Sequence, residues 1–412
     1  MKVLKAPRSI SFFDFSIFLY NFLFHFHSAL LLFYAPLWGS AVLNTASSYQ
    51  SYTYIFVLLA SSALTKPLGA SLLLFKRLRN HPSHAFQMTS FLQVLSSLLL
   101  LLSLGVTNFN AYYFLLAKLL QGVALGCENS LVRMLFSQNH DRYIQRITRY
   151  EMMCIFSYML GSLYLDSVIS LMYMVSVYVS FSIILCVHRL YALQNNQFEI
   201  VDKRHQALPD EKVSWYFKII SIMYVAVLQF LYQITFFFPF VLCKMYASLM
   251  KIQLCPPMHE KLATLLLFLW DVICLVFVLR FVCYKNMPKV FYAGIFVLVP
   301  CIYLFGFIDK NAPYVYIYIL QMLTVFAGVC VMVPQMQWGF NALNGKIPHH
   351  LLPFSQGALV HIASALWGRL LPVWAVFAIE KTNNLTQISQ YALFAMLFLF
   401  FVLFLHSLNL KK

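Results

Sequence analysis

Residues 118–128 are Lys118-Leu119-Leu120-Gln121-Gly122-Val123-Ala124-Leu125-Gly126-Cys127-Glu128, an apolar stretch interrupted by two charges and an amide. The stretch lies in an apolar run long enough to cross a bilayer, where charged side chains are costly and usually belong to a solute or proton pathway. At about 100° per residue, Lys118, Gln121 and Glu128 fall on one stripe of a helix. Gly122 and Gly126 form a notch of small residues where a second helix can approach. We therefore predict a transmembrane helix with one polar face and one packing face.

A simpler interpretation places Lys118 and Glu128 at the two ends of the helix, with their charges extending to opposite membrane interfaces. Gln121 lies between them on the same stripe and has no such explanation. The combination favours the pathway interpretation.

The composition is that of an integral membrane protein. Of the 412 residues, 61% are hydrophobic and only 10% are charged, whereas soluble domains carry roughly 25% charged residues. The formal net charge of +16 does not indicate nucleic acid, because the basic residues sit in short loops and form no soluble basic face. The nine cysteines contain no C-x-x-C pair and are typical of small buried apolar residues, so no metal or other cofactor is expected.

The apolar runs predict an all-α membrane protein with twelve transmembrane helices, at about 20 residues per crossing. The predicted spans are residues 12–37, 52–75, 86–104, 111–134, 152–165, 171–187, 215–242, 262–282, 290–307, 314–336, 352–377 and 391–408. The long polar segment between the sixth and seventh spans divides the chain into a six-helix bundle (1–192), a cytoplasmic linker (193–213) and a second six-helix bundle (214–412). Paired bundles are a common transporter architecture, with the solute site between them.

Basic residues are concentrated in alternate loops, which predicts the orientation in the membrane. One side carries both termini and most of the basic residues, including Arg189, and we assign it to the cytoplasm. The other side has only Lys244, Lys251, Lys261, Lys310 and Lys381. We expect a multi-pass protein of the cytoplasmic (inner) membrane that contacts anionic lipid headgroups through its basic side.

Polar residues inside the other spans are candidate pathway residues. In the first span, Asp14, Asn21, His25 and Ser28 share one helical stripe, whereas His27 points about 200° away from His25. His25 is therefore the histidine expected to face the pathway.

Three further residues join this set. Lys66 precedes Pro67 in the second span, where a proline frees backbone carbonyls. Asp271 lies in the middle of the eighth span and is a candidate proton carrier, since a mid-membrane carboxylate has few structural explanations. Arg369 in the eleventh span is a candidate contact for substrate or for an acidic side chain.

These motifs resemble those of the major facilitator superfamily. The fourth-helix motif of that superfamily resembles Lys118-x-x-Gln121-Gly122-x-x-x-Gly126. The continuation to Glu128 is similar to the Q-G-x-x-x-G-G-E motif of its metabolite:proton symporters, which are the proline/betaine, α-ketoglutarate and citrate permeases. In this chain Cys127 replaces the second glycine of the G-G pair. Supporting segments occur in the same order; they are Phe13-Asp14-Phe15, Lys66-Pro67-Leu68-Gly69 and Asp141-Arg142.

The resemblance implies alternating access to a central site and proton-coupled uptake of a small organic solute. It also implies roles in gating or coupling for Lys66, Lys118 and Glu128, and a weaker one for Asp14. The acidic loop motif that follows the second helix in the family is missing, because residues 74–81 contain no acid. In the family, that acid helps to hold one conformational state by ion pairing at the helix ends. Our hypothesis is that Glu128 pairs with Lys76, Arg77 or Arg79 and partly takes over this role.

The sequence predicts a secondary transporter for an organic acid, an amino acid or a betaine-like osmolyte. Bound solute would contact Asn21, His25, Lys118, Gln121, Asp271 and Arg369, and Glu128 or Asp271 would exchange the proton. The expected partners of a monomeric chain are the solute, a proton and membrane lipids. No enzymatic motif is found. The alternative is a non-transporting sensor or structural protein on a degenerate transporter scaffold, which the missing loop acid favours.

Overall fold

The structure is a computed structural model that describes residues 12–43, 47–75, 78, 81–105, 110–137, 140–162, 168–194, 223, 225, 228, 230–231, 233–251, 257–281, 286–309, 311–343 and 370–409. The loop cations Lys76, Arg77 and Arg79, almost all of the expected linker, and Arg369 lie outside the described residues.

The described chain is almost entirely helical. The first half contains α1 (Phe12–Phe33), α2 (Ala35–Leu43), α3 (Ser48–Ser71), α4 (Pro82–Ser103), α5 (Asn110–Ser137), α6 (His140–Gly161) and α7 (Val168–Gln194). The second half contains α8 (Cys243–Met250), α9 (Pro257–Phe281), α10 (Met287–Phe305), α11 (Tyr314–Leu343), α12 (Leu371–Thr382) and α13 (Thr386–Asn409). A π-helical turn, Phe237–Leu242, leads directly into α8.

Eight helical segments among the described residues are long and apolar enough to cross a membrane. Within the described residues the predicted spans match the helices in order, although several boundaries differ; most of the eleventh predicted span, 352–377, lies outside the described residues. The first span breaks at Tyr34 into α1 and α2. The fifth span begins at His140, twelve residues earlier than expected, and the sixth continues to Gln194, seven residues beyond its expected end. Both extensions carry charged residues into helices, and two of these residues matter below.

The outer surface is apolar and the interior is partly polar, the reverse of a soluble protein. Ile169 and Phe296 are about four-fifths exposed, at 80% and 82%. Lys118, Gln121, Glu128 and Arg189 are instead almost fully buried. Because hydrocarbon solvates no polar side chain, the charged residues pack inside the bundle and partner one another there.

The helices α3 and α5 pack in close backbone contact, as the glycine notch predicts. A Cβ on Gly122 would lie 2.0 Å from the carbonyl oxygen of Ser62, and a Cβ on Gly126 would lie 1.9 Å from that of Lys66. Gly69 of α3 meets the carbonyl of Val123 in the same way. Thr65 adds a hydrogen bond from its Oγ1 to the carbonyl oxygen of Leu119, at 2.9 Å.

The seventh-span helix, Gln233–Met250, is widened by the π-helical turn around Pro239. Such wider turns are rare and occur frequently at functional sites. The carbonyl oxygen of Pro239 accepts a hydrogen bond from Gln321 Nε2 of α11, at 2.7 Å. Nearby, Trp270 Nε1 of α9 donates to the carbonyl of Met322, at 3.0 Å. These bonds hold the seventh span, α9 and α11 together around the middle of the second half.

Substitution of Gly122 or Gly126 by alanine is expected to destabilise the protein strongly. Each new Cβ would overlap a backbone carbonyl, which no side-chain rotation can relieve, so the loss is about 1–3 kcal/mol or more. The measurement is the thermal unfolding midpoint of each purified variant in detergent. Gly105→Ala is the control, because its Cβ would have a single contact at 3.2 Å. Equal midpoints for all three variants would contradict the close packing.

Candidate transport site

The first half contains a buried polar cluster built from four helices. We define this N-half cluster as His27 of α1, Gln93 of α4, Lys118 and Gln121 of α5, and Tyr178 of α7. Lys118 Nζ donates to Gln121 Oε1 at 2.6 Å and lies 3.2 Å from His27 Nδ1. Gln121 Nε2 donates to Tyr178 Oη at 3.1 Å, and Gln93 Nε2 donates to the same hydroxyl.

The N-half cluster is sealed by aromatic rings. The imidazole of His27 stacks on Tyr178 with ring centroids 5.1 Å apart, and Trp38 packs against its edge at 6.2 Å. All five cluster side chains are at most 1% exposed. The arrangement holds the Lys118 ammonium in the protein interior by hydrogen bonds, away from lipid.

The expectation that His25 shares a site with Lys118 is wrong, because His27 makes that contact. His25 is half-buried on another face of α1, where its ring lies 5.5 Å from that of Tyr158. The sequence argument assumed one interior face for α1. The structure gives this helix two, because α6 contacts it at His25 through Tyr158 and α7 contacts it at His27 through Tyr178.

A second buried group joins four helices through one ion pair. Arg189 of α7 forms a two-pronged contact with Glu128 of α5, at 2.5 Å between Nη2 and Oε1 and 3.0 Å between Nη1 and Oε2. Both side chains are 0% exposed. Thr89 Oγ1 of α4 donates to Glu128 Oε2 at 2.6 Å, and Arg189 Nη2 donates to the carbonyl oxygen of Ser16 in α1, at 3.2 Å. We call this group the Glu128–Arg189 clamp.

The clamp replaces the pairing expected from the sequence. Both carboxylate oxygens of Glu128 are occupied by Arg189, a residue assigned from the sequence to a cytoplasmic loop. The predicted sixth span ended at residue 187, so Arg189 was placed outside the membrane, whereas α7 continues to Gln194. A bidentate partner that is as fully buried as the carboxylate makes Glu128 a structural anchor of the first half.

Other predicted residues lie apart from both groups. Asn21 is fully buried and donates from Nδ2 to the carbonyl oxygen of Tyr150 in α6, at 2.6 Å. Lys66 is 6% exposed, and its ammonium lies 6.0 Å from the centre of the Phe24 ring. Asp14 lies in the first turn of α1, but its side chain is outside the described part.

A crevice between the two halves contains two carboxylates. Glu151 of α6 and Asp271 of α9 line it from opposite sides, with about 460 Å³ of empty space that includes its open mouth. The first half also contributes Cys154, Ile155 and Tyr158, and the second half contributes Thr235, Phe236, Phe240, Phe268, Val325, Gly328, Val329 and Met332. Both carboxylates are half-buried. The crevice therefore places one carboxylate from each bundle at the contact between them.

The sequence argument missed Glu151, His27, Tyr178 and Arg189. Glu151 was missed because the predicted fifth span began at residue 152, although a helix that starts at His140 places Glu151 in its middle. An available signal was the polar periodicity of residues 140–161, which is typical of a helix with one buried apolar face. Tyr178 has no sequence signal, because the chain contains 25 tyrosines.

Solved structures of transporters match this architecture along nearly the whole chain. The human organic anion transporter MFSD10 (TETRAN) matches with a TM-score of 0.61 and 15% identity, covering 96% of this chain and 100% of that one. The proton:xylose symporter XylE bound to 6-bromo-6-deoxy-D-glucose gives a TM-score of 0.64 and 13% identity, covering 94% of each chain. XylE from E. coli in a partially occluded inward-open conformation gives a TM-score of 0.58 and 12% identity, with coverages of 93% and 96%.

The chain has the major facilitator superfamily fold. This confirms the predicted architecture of twelve transmembrane helices in two six-helix bundles. No protein-family model matches the sequence, and no curated protein matches it. At 12–15% identity the likeness concerns the fold, so solute and coupling must be argued from the residues of this chain.

Removing one member of the Glu128–Arg189 clamp is expected to destabilise the first half severely. Glu128→Gln or Arg189→Met leaves the other charge buried without its partner, at a cost of about 3–5 kcal/mol. The double variant should lose less than the sum of the two single losses, because it leaves no uncompensated charge. The measurement is the thermal midpoint in detergent, with Glu380→Gln as the exposed control. Additive losses would show that the two side chains act independently.

Proposed function

We propose that this chain is a secondary transporter that moves a small organic solute across a membrane by alternating access. The halves formed by residues 1–192 and 214–412 would move relative to each other around the crevice, with both termini in the cytoplasm. The single observation that carries the proposal is the position of Glu151 and Asp271, one from each half, in one accessible crevice at membrane depth.

The positions of Glu151 and Asp271 are suited to coupling proton binding to a conformational change. Two carboxylates in one narrow crevice repel each other when both are ionised, so the free energy of binding a proton to one depends on its distance from the other. A change in the separation of the halves changes that repulsion, because the two groups belong to different bundles. Proton binding then has different free energies in different conformations, which is the requirement for a ligand to drive a conformational change.

This proposal assigns proton coupling to Asp271 with Glu151 and gives Glu128 another role. Both Glu128 and Asp271 are candidates from the sequence. Glu128 is 0% exposed and is held by Arg189, whereas Asp271 faces the crevice. A proton carrier must be reached by water at some stage of the cycle, and the position of Asp271 on the crevice supports assigning it this role.

A counterflow assay tests transport itself. Purified protein is reconstituted in liposomes loaded with one unlabelled solute at a time, from a panel of organic acids, amino acids, betaines, amines and sugars. Exchange of external labelled solute above the level of protein-free liposomes is expected for at least one class. Failure of the whole panel, with folded protein shown by its thermal transition, would contradict the proposal and favour the non-transporting alternative.

Proton coupling has its own test, once a transported solute is known. An imposed pH gradient should drive accumulation by the unmodified protein and not by Asp271→Asn, which cannot exchange a proton. The matched control is Asp309→Asn, at an exposed position in the loop after α10, where accumulation should be unchanged. Full gradient-driven accumulation by Asp271→Asn would rule out this residue as the proton carrier.

A further inference from the structure

Aromatic side chains from both halves meet at one end of the crevice. Four of their rings line it; they belong to Tyr158, Phe236, Phe240 and Phe268. The fifth ring is that of Phe33, the last residue of α1, whose centroid lies 6.3 Å from that of Phe268 and 6.4 Å from that of Tyr158. We call these five residues the aromatic group. Phe33 and Tyr158 belong to the first half, and the other three belong to the second.

The rings of the aromatic group contact one another across the two halves. The centroids of Tyr158 and Phe236, one from each half, are 4.6 Å apart. Phe240 stacks on Phe236 at 5.2 Å and on Phe268 at 4.5 Å. These separations are at the short end of the range for packed aromatic rings, so no solute fits between neighbouring rings. The aromatic group therefore closes this end of the crevice.

The closed end lies on one side of the two carboxylates. We use outer for the membrane side that the sequence predicts to lie opposite the basic loops. Along α6, Tyr158 is nearer the outer end than Glu151 by two turns, about 10 Å at 1.5 Å per residue. Along α9, which begins at Pro257 on the outer side, Phe268 precedes Asp271 by about one turn. A solute held beside the carboxylates could reach the outer side only by passing the aromatic group.

A cation lies on the outer side of the aromatic group and joins the halves. The Nζ atom of Lys244, in α8 of the second half, is 4.9 Å from the centre of the Phe33 ring in the first half. This distance is within the range of cation–π attraction. Lys244 is four residues beyond Phe240, which places it one turn nearer the outer end than the ring stack. The Phe33 ring is thus held by Phe268 on the crevice side and by Lys244 on the outer side.

We propose that the aromatic group is a closed gate at the outer end of the crevice, and that Lys244 holds this gate shut through its contact with Phe33. The inference rests on the proposed transport function, because a gate requires two halves that move. Separation of the outer ends carries Phe33 and Tyr158 away from the second half and breaks the cation–π contact. Lys244 is half-buried, so its ammonium is hydrated when it leaves the ring. The contact is therefore weak enough to break and form again in each cycle, unlike the Glu128–Arg189 clamp.

The labelling rate of Cys154 by a membrane-impermeant thiol reagent measures the opening of this gate. Cys154 is a free thiol that lines the crevice, is 4% exposed and lies one turn to the inner side of Tyr158. A reagent added at the outer side reaches it only past the aromatic group. Asn384→Cys, at an exposed position between α12 and α13, identifies the membrane preparation whose outer side faces the reagent. The mass of the labelled peptide distinguishes Cys154 from the other thiols.

Slow labelling of Cys154 is expected in the unmodified protein. Lys244→Met and Phe33→Leu should each raise the rate about three- to tenfold, because each removes the cation–π contact. Lys244 has a further interaction besides this ring, so Phe33→Leu tests the ring with the lysine in place. Lys244→Arg and Phe33→Tyr preserve a cation and a ring, and they should keep the slow rate. Lys261→Met is the matched control, because it removes an exposed lysine on the same side.

Four results would overturn the inference. The first is fast labelling of Cys154 in the unmodified protein, and the second is an unchanged rate in both Lys244→Met and Phe33→Leu. The third is a rise in only one of these two variants, which would show that their contact does not hold the gate. The fourth is an equal rise at Cys127, which is 0% exposed inside the first half, because that would indicate general unfolding.

Counterflow on the same variants separates this inference from the proposed function, since the labelling needs no transported solute. Faster labelling in both variants, with exchange of a solute by the unmodified protein, supports both proposals. Solute exchange by a protein whose labelling ignores the two substitutions overturns the gate and leaves the transporter proposal standing. Faster labelling without exchange of any solute supports an opening at this position and contradicts transport.

Discussion

The ion pair between Glu128 and Arg189 is the contact on which the first half of the molecule depends. It joins α5 and α7 directly and reaches α4 through Thr89 and α1 through the carbonyl of Ser16. An unpartnered charge in this environment would be prohibitively costly, so the four helices can pack only in the arrangement that completes the pair. Many small apolar contacts fill the remaining volume, but they specify the arrangement less sharply.

The molecule separates its ionisable residues into two environments. Those of the N-half cluster and the Glu128–Arg189 clamp bond to one another inside the first half. Those in the crevice face space between the halves. The first kind gives a bundle its internal structure, and the second kind lies where the two halves meet. This division explains why a strongly polar motif on α5 can be structurally essential without lining the route of a solute.

The fold was predictable from the sequence because it depends on length and polarity along the chain. The apolar runs that fall within the described residues appear directly as helices, and the glycine notch of residues 122 and 126 appears in the contact of α3 with α5. The site was less predictable. A helical wheel gives the angle of His25 relative to His27, but it does not say which neighbour packs on which side. Charged residues next to the ends of the predicted spans were also misplaced, since Glu151 and Arg189 fall just outside the apolar runs that defined those spans. The role of each predicted side chain in transport stays a prediction.

The close backbone packing of α3 against α5 limits how these two helices can move relative to each other. Backbone carbonyl groups of each helix lie directly against glycines of the other, so neither helix has room to slide or rotate against its neighbour. Together with the Glu128–Arg189 clamp, which also contacts α1, α4 and α7, this close packing makes the first half a rigid unit. A relative motion of the two halves would then be taken up at the contact between them, where phenyl rings and half-buried acids replace interlocked backbones.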